Sequence, residues 1–200
     1  MTGKLFRWLG HNQGPPLDPM QSWRHHCWKA AKKKLFKPLP LEVVRRRVAR
    51  ATALGLTYHR YEQLVLGGGE IKAMLFAGDT LIVTAPYAAR AELLDQAAIR
   101  KLAEVSGCRR LLLTGQQGTQ EIWARNPASD LIEAAIRVPA ADPLAAPPHR
   151  PDRVALIAGL RDCALPAGSV ALVGNGAHGP AWVAGARLAG FVPGAEFFGA

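Results

Sequence analysis

Three groups of residues in this 200-residue chain have the type and spacing to do chemistry. The first is the turn Gly174-Asn175-Gly176-Ala177-His178-Gly179, which follows the apolar run Ser169–Val173 and precedes Pro180. Its G-x-G-x-x-G spacing lets backbone amides approach a bound group closely, and Pro180 suits the first position of a helix whose N-terminus attracts phosphate. Gly174, Gly176 and Gly179 are therefore the candidate ligand-binding residues, with His178 beside them. The second group is cationic: Lys29, Lys32, Lys33, Lys34, Lys37, Arg45, Arg46, Arg47 and Arg50 fall within 22 residues, opposed only by Glu42. One-signed clustering is self-repulsive unless an anionic surface relieves it, so the run points to a polyanion. Trp23, Trp28 and Phe36 interleave with it, as in surfaces that stack bases, or else form the core of a small helical unit. The third group, His25-His26-Cys27 with His11 upstream, has metal-ligand types. Helical neighbours point about 100° apart and cannot all face one ion, so no metal is assigned. No cofactor and no catalytic Cys/His or Ser/His/Asp set is assigned either; Cys108 and Cys163 read as small buried residues.

The charge that the cationic run carries is confined to one end of the chain. Residues 1–60 hold 13 Lys/Arg against Asp18 and Glu42, a net of +11, while residues 61–200 hold 12 against 13 acids, a net of −1. The net charge of +10 and isoelectric point near 10.1 therefore describe a basic arm on a nearly neutral body. An apolar content of 49 % and a mean hydropathy of +0.03 fit a globular protein, not a membrane protein. The N-terminus has no apolar core before Pro15 and Pro16, and three widely spaced cysteines read as reduced thiols, so a cytoplasmic location is expected.

The elements that must position these residues follow from pattern. Gln21–Phe36 predicts a helix capped by Ser22 and stopped by Pro38 and Pro40. Residues 41–54 predict a second helix, with Leu41, Val44, Val48 and Ala51 on its apolar side and Arg46, Arg47 and Arg50 opposite. Gly55 ends it, and Thr57 caps a third helix that runs to Gly67-Gly68-Gly69. Beyond residue 70 the pattern becomes short apolar strands (Ile71–Phe76, Leu81–Thr84, Arg110–Thr114, Leu131–Val138, Ser169–Val173) alternating with helices (Pro86–Ser106, Thr119–Asn126, Asp152–Cys163, Pro180–Ala189). That alternation predicts an α/β fold with a Rossmann-like, mostly parallel sheet over residues 70–200, joined to a basic helical N-terminal unit over residues 1–69. Residues 139–151 contain five prolines and read as a connector or surface loop.

Three resemblances attach to these runs. The segment SVALVGNGAHGPAWVAGARLAG resembles the dinucleotide-binding turn of Rossmann-type proteins, which implies a pyrophosphate at Gly174, Gly176 and Gly179. IKAMLFAGDTLIVTA, RLLLTG and VALVGNGAHG resemble, in order, the strand-end loops of haloacid-dehalogenase-like phosphohydrolases. In that comparison the nucleophile position falls on Ala77 or Gly78, and Asn175 and Gly179 stand where acids belong. The likeness therefore implies the fold with its catalytic site lost. Residues 47–66 resemble a DNA-binding helix-turn-helix, with Ala51, Leu54, Gly55, Leu56, Tyr61 and Leu64 in the inward and turn positions. This implies a second helix offering His59 and Arg60, with Tyr58, Glu62 and Gln63, to a groove or partner.

The expectation is a non-catalytic nucleic-acid-binding protein that uses Lys29–Arg50, His59 and Arg60, with the α/β unit as scaffold. The competing expectations are a nucleotide- or phosphate-binding protein using the glycine turn, and an adaptor whose basic arm meets an acidic protein.

Overall fold

The computed structural model describes residues 27, 39–78, 82–83, 92–93, 96–115 and 129–199. The chain divides into two compact units, Met1–Val44 and Arg45–Ala200. Of the first unit, Cys27 is helical and exposed, and the start of a helix is described from Leu41. The lysines from Lys29 to Lys37, Trp23, Trp28 and the expected helix Thr119–Asn126 lie outside the described residues.

Five parallel strands form the sheet: β1 (Ala73–Ala77), β4 (Arg109–Thr114), β5 (Ala134–Arg137), β6 (Val170–Gly174) and β7 (Gly190–Pro193), in the order β5-β4-β1-β6-β7. The fold is α/β and Rossmann-like. β1 and β6 lie inside the sheet and every one of their residues is buried, which is why both read as unbroken apolar runs. β7 lies at the edge, where Pro193 leaves no interior ladder position without a donor. A separate antiparallel pair, β2 (Ile82–Val83) and β3 (Glu92–Leu93), lies between β1 and the next helix in sequence. Glu92–Leu93 is thus strand, and the helix expected from Pro86 is described as α3 over Gln96–Glu104.

Alternate residues of each strand feed two cores. Met74, Phe76, Leu112, Ala171 and Val173 pack on one face with Ala51, Leu54, Leu56, Tyr61, Leu64, Leu102, Val105 and Phe197. These come from α1 (Leu41–Ala53), α2 (Tyr58–Gly68), α3, α6 (Gly194–Phe198) and their connections. Leu75, Leu111, Leu113, Val170 and Leu172 pack on the other face with Leu156, Leu160, Trp182 and Ala186 of α4 (Arg150–Asp162) and α5 (Gly179–Ala186). Each Leu- or Phe-sized chain so buried contributes about 1.5–3 kcal/mol before entropy is counted. The hairpin α1–α2 therefore shares its core with the sheet.

Local sequence explains the hairpin. Gly55 takes φ +68, a left-handed turn that other residues adopt at a cost, and so ends α1. Thr57 caps α2, its hydroxyl accepting from Arg60 N at 3.3 Å. The face that α1 buries differs from the periodicity reading. Ala51 is buried, but Leu41 is 63 % and Val48 44 % exposed. Arg50, expected on the solvated side, instead donates through Nη2 to Ile71 O at 2.9 Å and Gly107 O at 2.8 Å. Two charge-assisted bonds outweigh the burial of two aliphatic side chains and set the rotation of the helix.

Candidate functional site

In an open parallel sheet, ligands sit outside the carboxyl ends of the strands, where the strand order reverses. Here the chain runs outward from β1 through β4 to β5, then returns to β6 and continues to β7, so the reversal lies between β1 and β6. Four segments meet at that edge: Gly78 after β1, Thr114-Gly115 at the end of β4, Val138 after β5, and the glycine turn after β6. Sequence order alone thus brings the predicted turn to the position that a ligand would use.

The space at that turn is filled by the chain itself. A Cβ added at Gly174 would collide with Leu144 Cδ1; one added at Gly176 would lie 2.6 Å from Leu144 O and 2.8 Å from its carbonyl carbon. A Cβ at Gly179 would strike the Phe191 ring. The close approach that these glycines permit is therefore made by Leu144 and Phe191. His178 N donates to Leu144 O at 3.4 Å and Gly179 N to Gly176 O at 3.1 Å, so two of the turn's amides already have acceptors.

Leu144 belongs to the proline-rich stretch read as a surface loop, and the structure makes it a strap. Pro143 and Leu144 are buried, and Leu144 sits at φ +74, a conformation that costs a non-glycine residue about 1–2 kcal/mol. Anchors on both sides hold it there. The buried Asp152 carboxylate accepts from Ala140 N at 2.7 Å and His149 N at 2.9 Å, and Trp182 Nε1 donates to Ala146 O at 2.8 Å. A Cβ at Gly115 would lie 2.5 Å from Ala140 O, so a third glycine brings strap backbone against the sheet edge. One polar group at this edge is left over: Thr114 is fully buried and its Oγ1 has no hydrogen-bond partner. A cleft of about 490 Å³ is lined at the β5 end of this edge by Arg137, Val138, Pro139 and Ala155, and one of about 250 Å³ by Gly55, Leu56, Thr57, Lys101, Val192, Glu196 and Phe197; none of the three turn glycines is among these lining residues. Asp79 and Thr80 lie outside the described residues, and among the described residues no group of three His, Cys, Asp or Glu could hold a metal.

The described cations of the predicted interface have unequal fates. Arg45 and Arg46 are exposed on α1 and Arg47 is half-buried. Arg50 is spent on backbone carbonyls, with its Nε buried and unpaired. Arg60 forms a fork with Glu196, Nε to Oε1 at 2.9 Å and Nη2 to Oε2, and its Nη1 donates to Gln63 Oε1 at 3.0 Å. The hydrogen bond between them pushes the Arg60 guanidinium up from its ordinary value and holds the Glu196 carboxyl below its own. His59 Nε2 and Gln63 Nε2 share a hydrogen bond at 3.0 Å. Glu196 and Arg60 pair across 136 residues, which no local pattern encodes.

The described helices include none long and apolar enough to cross a membrane. In comparisons with known proteins, no family model and no curated sequence matches the chain.

Proposed function

We propose that the chain is a non-catalytic nucleic-acid-binding protein. It contacts its partner through the cationic segment from Lys29 to Arg50, in which Arg50 itself is held by Ile71 O and Gly107 O, with the α/β unit as scaffold. The observation that carries this reading is the partition of charge. Residues 1–60 have a net of +11 against −1 for the rest, and Arg45 and Arg46 of that segment stand exposed on α1. Protein purified at low salt should carry nucleic acid, seen as a raised 260/280 nm absorbance ratio. Stripped protein should rebind labelled nucleic acid with affinity that falls steeply as salt rises. Salt-insensitive binding, or none, defeats the proposal. Retention of one acidic protein without nucleic acid would establish the adaptor reading in its place.

A second reading has one observation in its favour: the buried, unpaired hydroxyl of Thr114 beside Gly115 at the sheet edge suits a phosphate-bearing small ligand. Leu144 over the glycine turn counts against it. Its test is a thermal shift with a nucleoside phosphate that Thr114→Val removes.

A further inference from the structure

We propose that the cleft of about 250 Å³ bordered by the α1–α2 turn, Lys101 of α3 and Glu196 and Phe197 of α6 is a binding site for a small monocarboxylate. None of its lining residues belongs to the segment Lys29–Arg50, so the site is independent of the nucleic-acid reading. The polar groups of its wall divide by chemistry. The acceptors are engaged: Arg60 holds both Glu196 oxygens, Oε1 through Nε at 2.9 Å and Oε2 through Nη2, and Thr57 Oγ1 accepts from Arg60 N at 3.3 Å. The backbone donors of the turn are engaged too, Gly55 N on Thr52 O and Leu56 N on Ala51 O, both at 2.9 Å. Two side-chain donors are left over. The Lys101 ammonium stands 5.4 Å from the centroid of the Phe197 ring, and no carboxylate or other acceptor pairs with it among the described residues. The Thr57 hydroxyl accepts at its oxygen and donates its own proton to no acceptor among the described residues.

Charge and donor count together select the ligand. Arg60 offsets Glu196, so the charge that the wall presents is that of Lys101, and it favours an anion. A carboxylate brings two oxygens to two donors. A phosphate monoester would bring a third oxygen that no donor of the wall meets. An amino acid would bring an ammonium group, and both side-chain acceptors of the wall are taken. Beyond the donors the lining is Leu56, with the buried Val192 and Phe197 at its floor, so the body of the ligand is apolar. The cleft is smaller than the range of about 300–1,000 Å³ that holds drug-sized ligands, which suits one ring or a short chain and is too little for a nucleotide.

The test uses the full chain, stripped of any nucleic acid, and 4-fluorobenzoate as the probe, followed by fluorine NMR line broadening. The probe should bind with Kd on the order of 1 mM, as expected for so small a ligand. Unlabelled benzoate should displace it, while benzamide, which has the same shape without the charge, should do so about tenfold or more weakly. Inorganic phosphate at the same concentration and ionic strength should leave it bound. Lys101→Met keeps the aliphatic stem and removes the ammonium, and should weaken the probe by about tenfold or more. Four results overturn the proposal: no binding at about 10 mM probe, equal displacement by benzamide and benzoate, displacement by phosphate, or an affinity that Lys101→Met leaves unchanged. The first three are read on the native chain and decide the matter even where the methionine variant fails to fold. None of them bears on whether the chain binds nucleic acid.

Discussion

Truncating Leu144 and enlarging Gly174 should compensate for one another, because the strap and the glycine turn occupy a shared space. Leu144 is fully buried, and Leu144→Ala should cost about 3 kcal/mol, within the range of about 2–5 kcal/mol for buried leucines. Gly174 ends β6 outside the left-handed region, so alanine is conformationally acceptable there. Its new methyl meets Leu144 Cδ1, while Phe191 Cε2 and Ala77 Cβ stand at 3.4 and 3.5 Å. Gly174→Ala alone is therefore overpacking worth about 1–3 kcal/mol. With Leu144 cut back to alanine, the obstructing atom is gone and the methyl fills part of the cavity. The double variant should be no less stable than Leu144→Ala, a coupling of about 1–3 kcal/mol between residues thirty positions apart. Gly176→Ala supplies the control. It is blocked by the carbonyl of Leu144, at 2.6 Å to the oxygen, which truncating the side chain leaves in place, so no rescue should follow. Urea unfolding of the four proteins of the cycle and the two Gly176 variants, at a common m value, measures every difference. Coupling below about 0.5 kcal/mol at Gly174, or rescue at Gly176, would show that the strap does not lie on the turn.

Two further outcomes follow from groups that the fold consumes. Arg50→Met keeps the aliphatic stem but removes the bonds to Ile71 O and Gly107 O; it should lower stability by about 2–3 kcal/mol in the same urea assay and leave the salt slope of the proposed nucleic-acid binding unchanged. A loss below about 0.5 kcal/mol would mean that those bonds do not hold α1. Burial pushes the Cys108 thiol up to about 11, against the lowering effect of the Arg50 and Arg110 charges. Only about one Cys108 in a thousand is then thiolate at pH 8, and a disulfide reagent should modify exposed Cys27 rapidly and Cys108 slowly, the slow rate rising tenfold per pH unit up to about pH 11. Equal rates at pH 8 would contradict that burial.

What the sequence disclosed and what it hid divide along the range of the interactions. The interior strands β1, β4 and β6 were legible because such strands must be apolar, and the hairpin because Gly55 and Thr57 act on their immediate neighbours; β7, a short edge strand ending in Pro193, was not among the expected strands, and the expected strand Leu81–Thr84 pairs outside the sheet. The glycine turn was placed correctly between strand and helix, but glycine spacing does not specify what approaches the backbone. Leu144 does so here, from a stretch whose prolines disguise two buried residues. The rotation of α1 was misread for a similar reason. Leu41, Val44, Val48 and Ala51 make an apolar stripe, yet Arg50 finds two carbonyls, the farther in sequence 57 residues away, and turns the helix toward them. Periodicity weighs side chains by transfer energy and carries no information about a distant acceptor.

The same accounting identifies cations that the fold itself uses. Arg110 Nη1 donates to Leu102 O and Val105 O, at the carboxyl end of α3, where the helix dipole favours a cation. Arg109 Nη1 donates to Cys163 O at 2.6 Å and its Nε to Glu133 at 2.9 Å, and Arg50 and Arg60 are committed in like manner. These arginines secure chain ends that the sheet leaves with unpaired carbonyls, or close on an acid, and they recur on both sides of residue 60. A count of basic residues cannot tell them from Arg45 and Arg46, which are exposed and adjacent on one helix. If the chain meets a polyanion, variants of Arg50, Arg109 and Arg110 should register as lost stability with the salt slope intact. A slope that instead tracked Arg50, Arg109 or Arg110 would place the partner on the body of the fold and remove the basis for assigning it to α1.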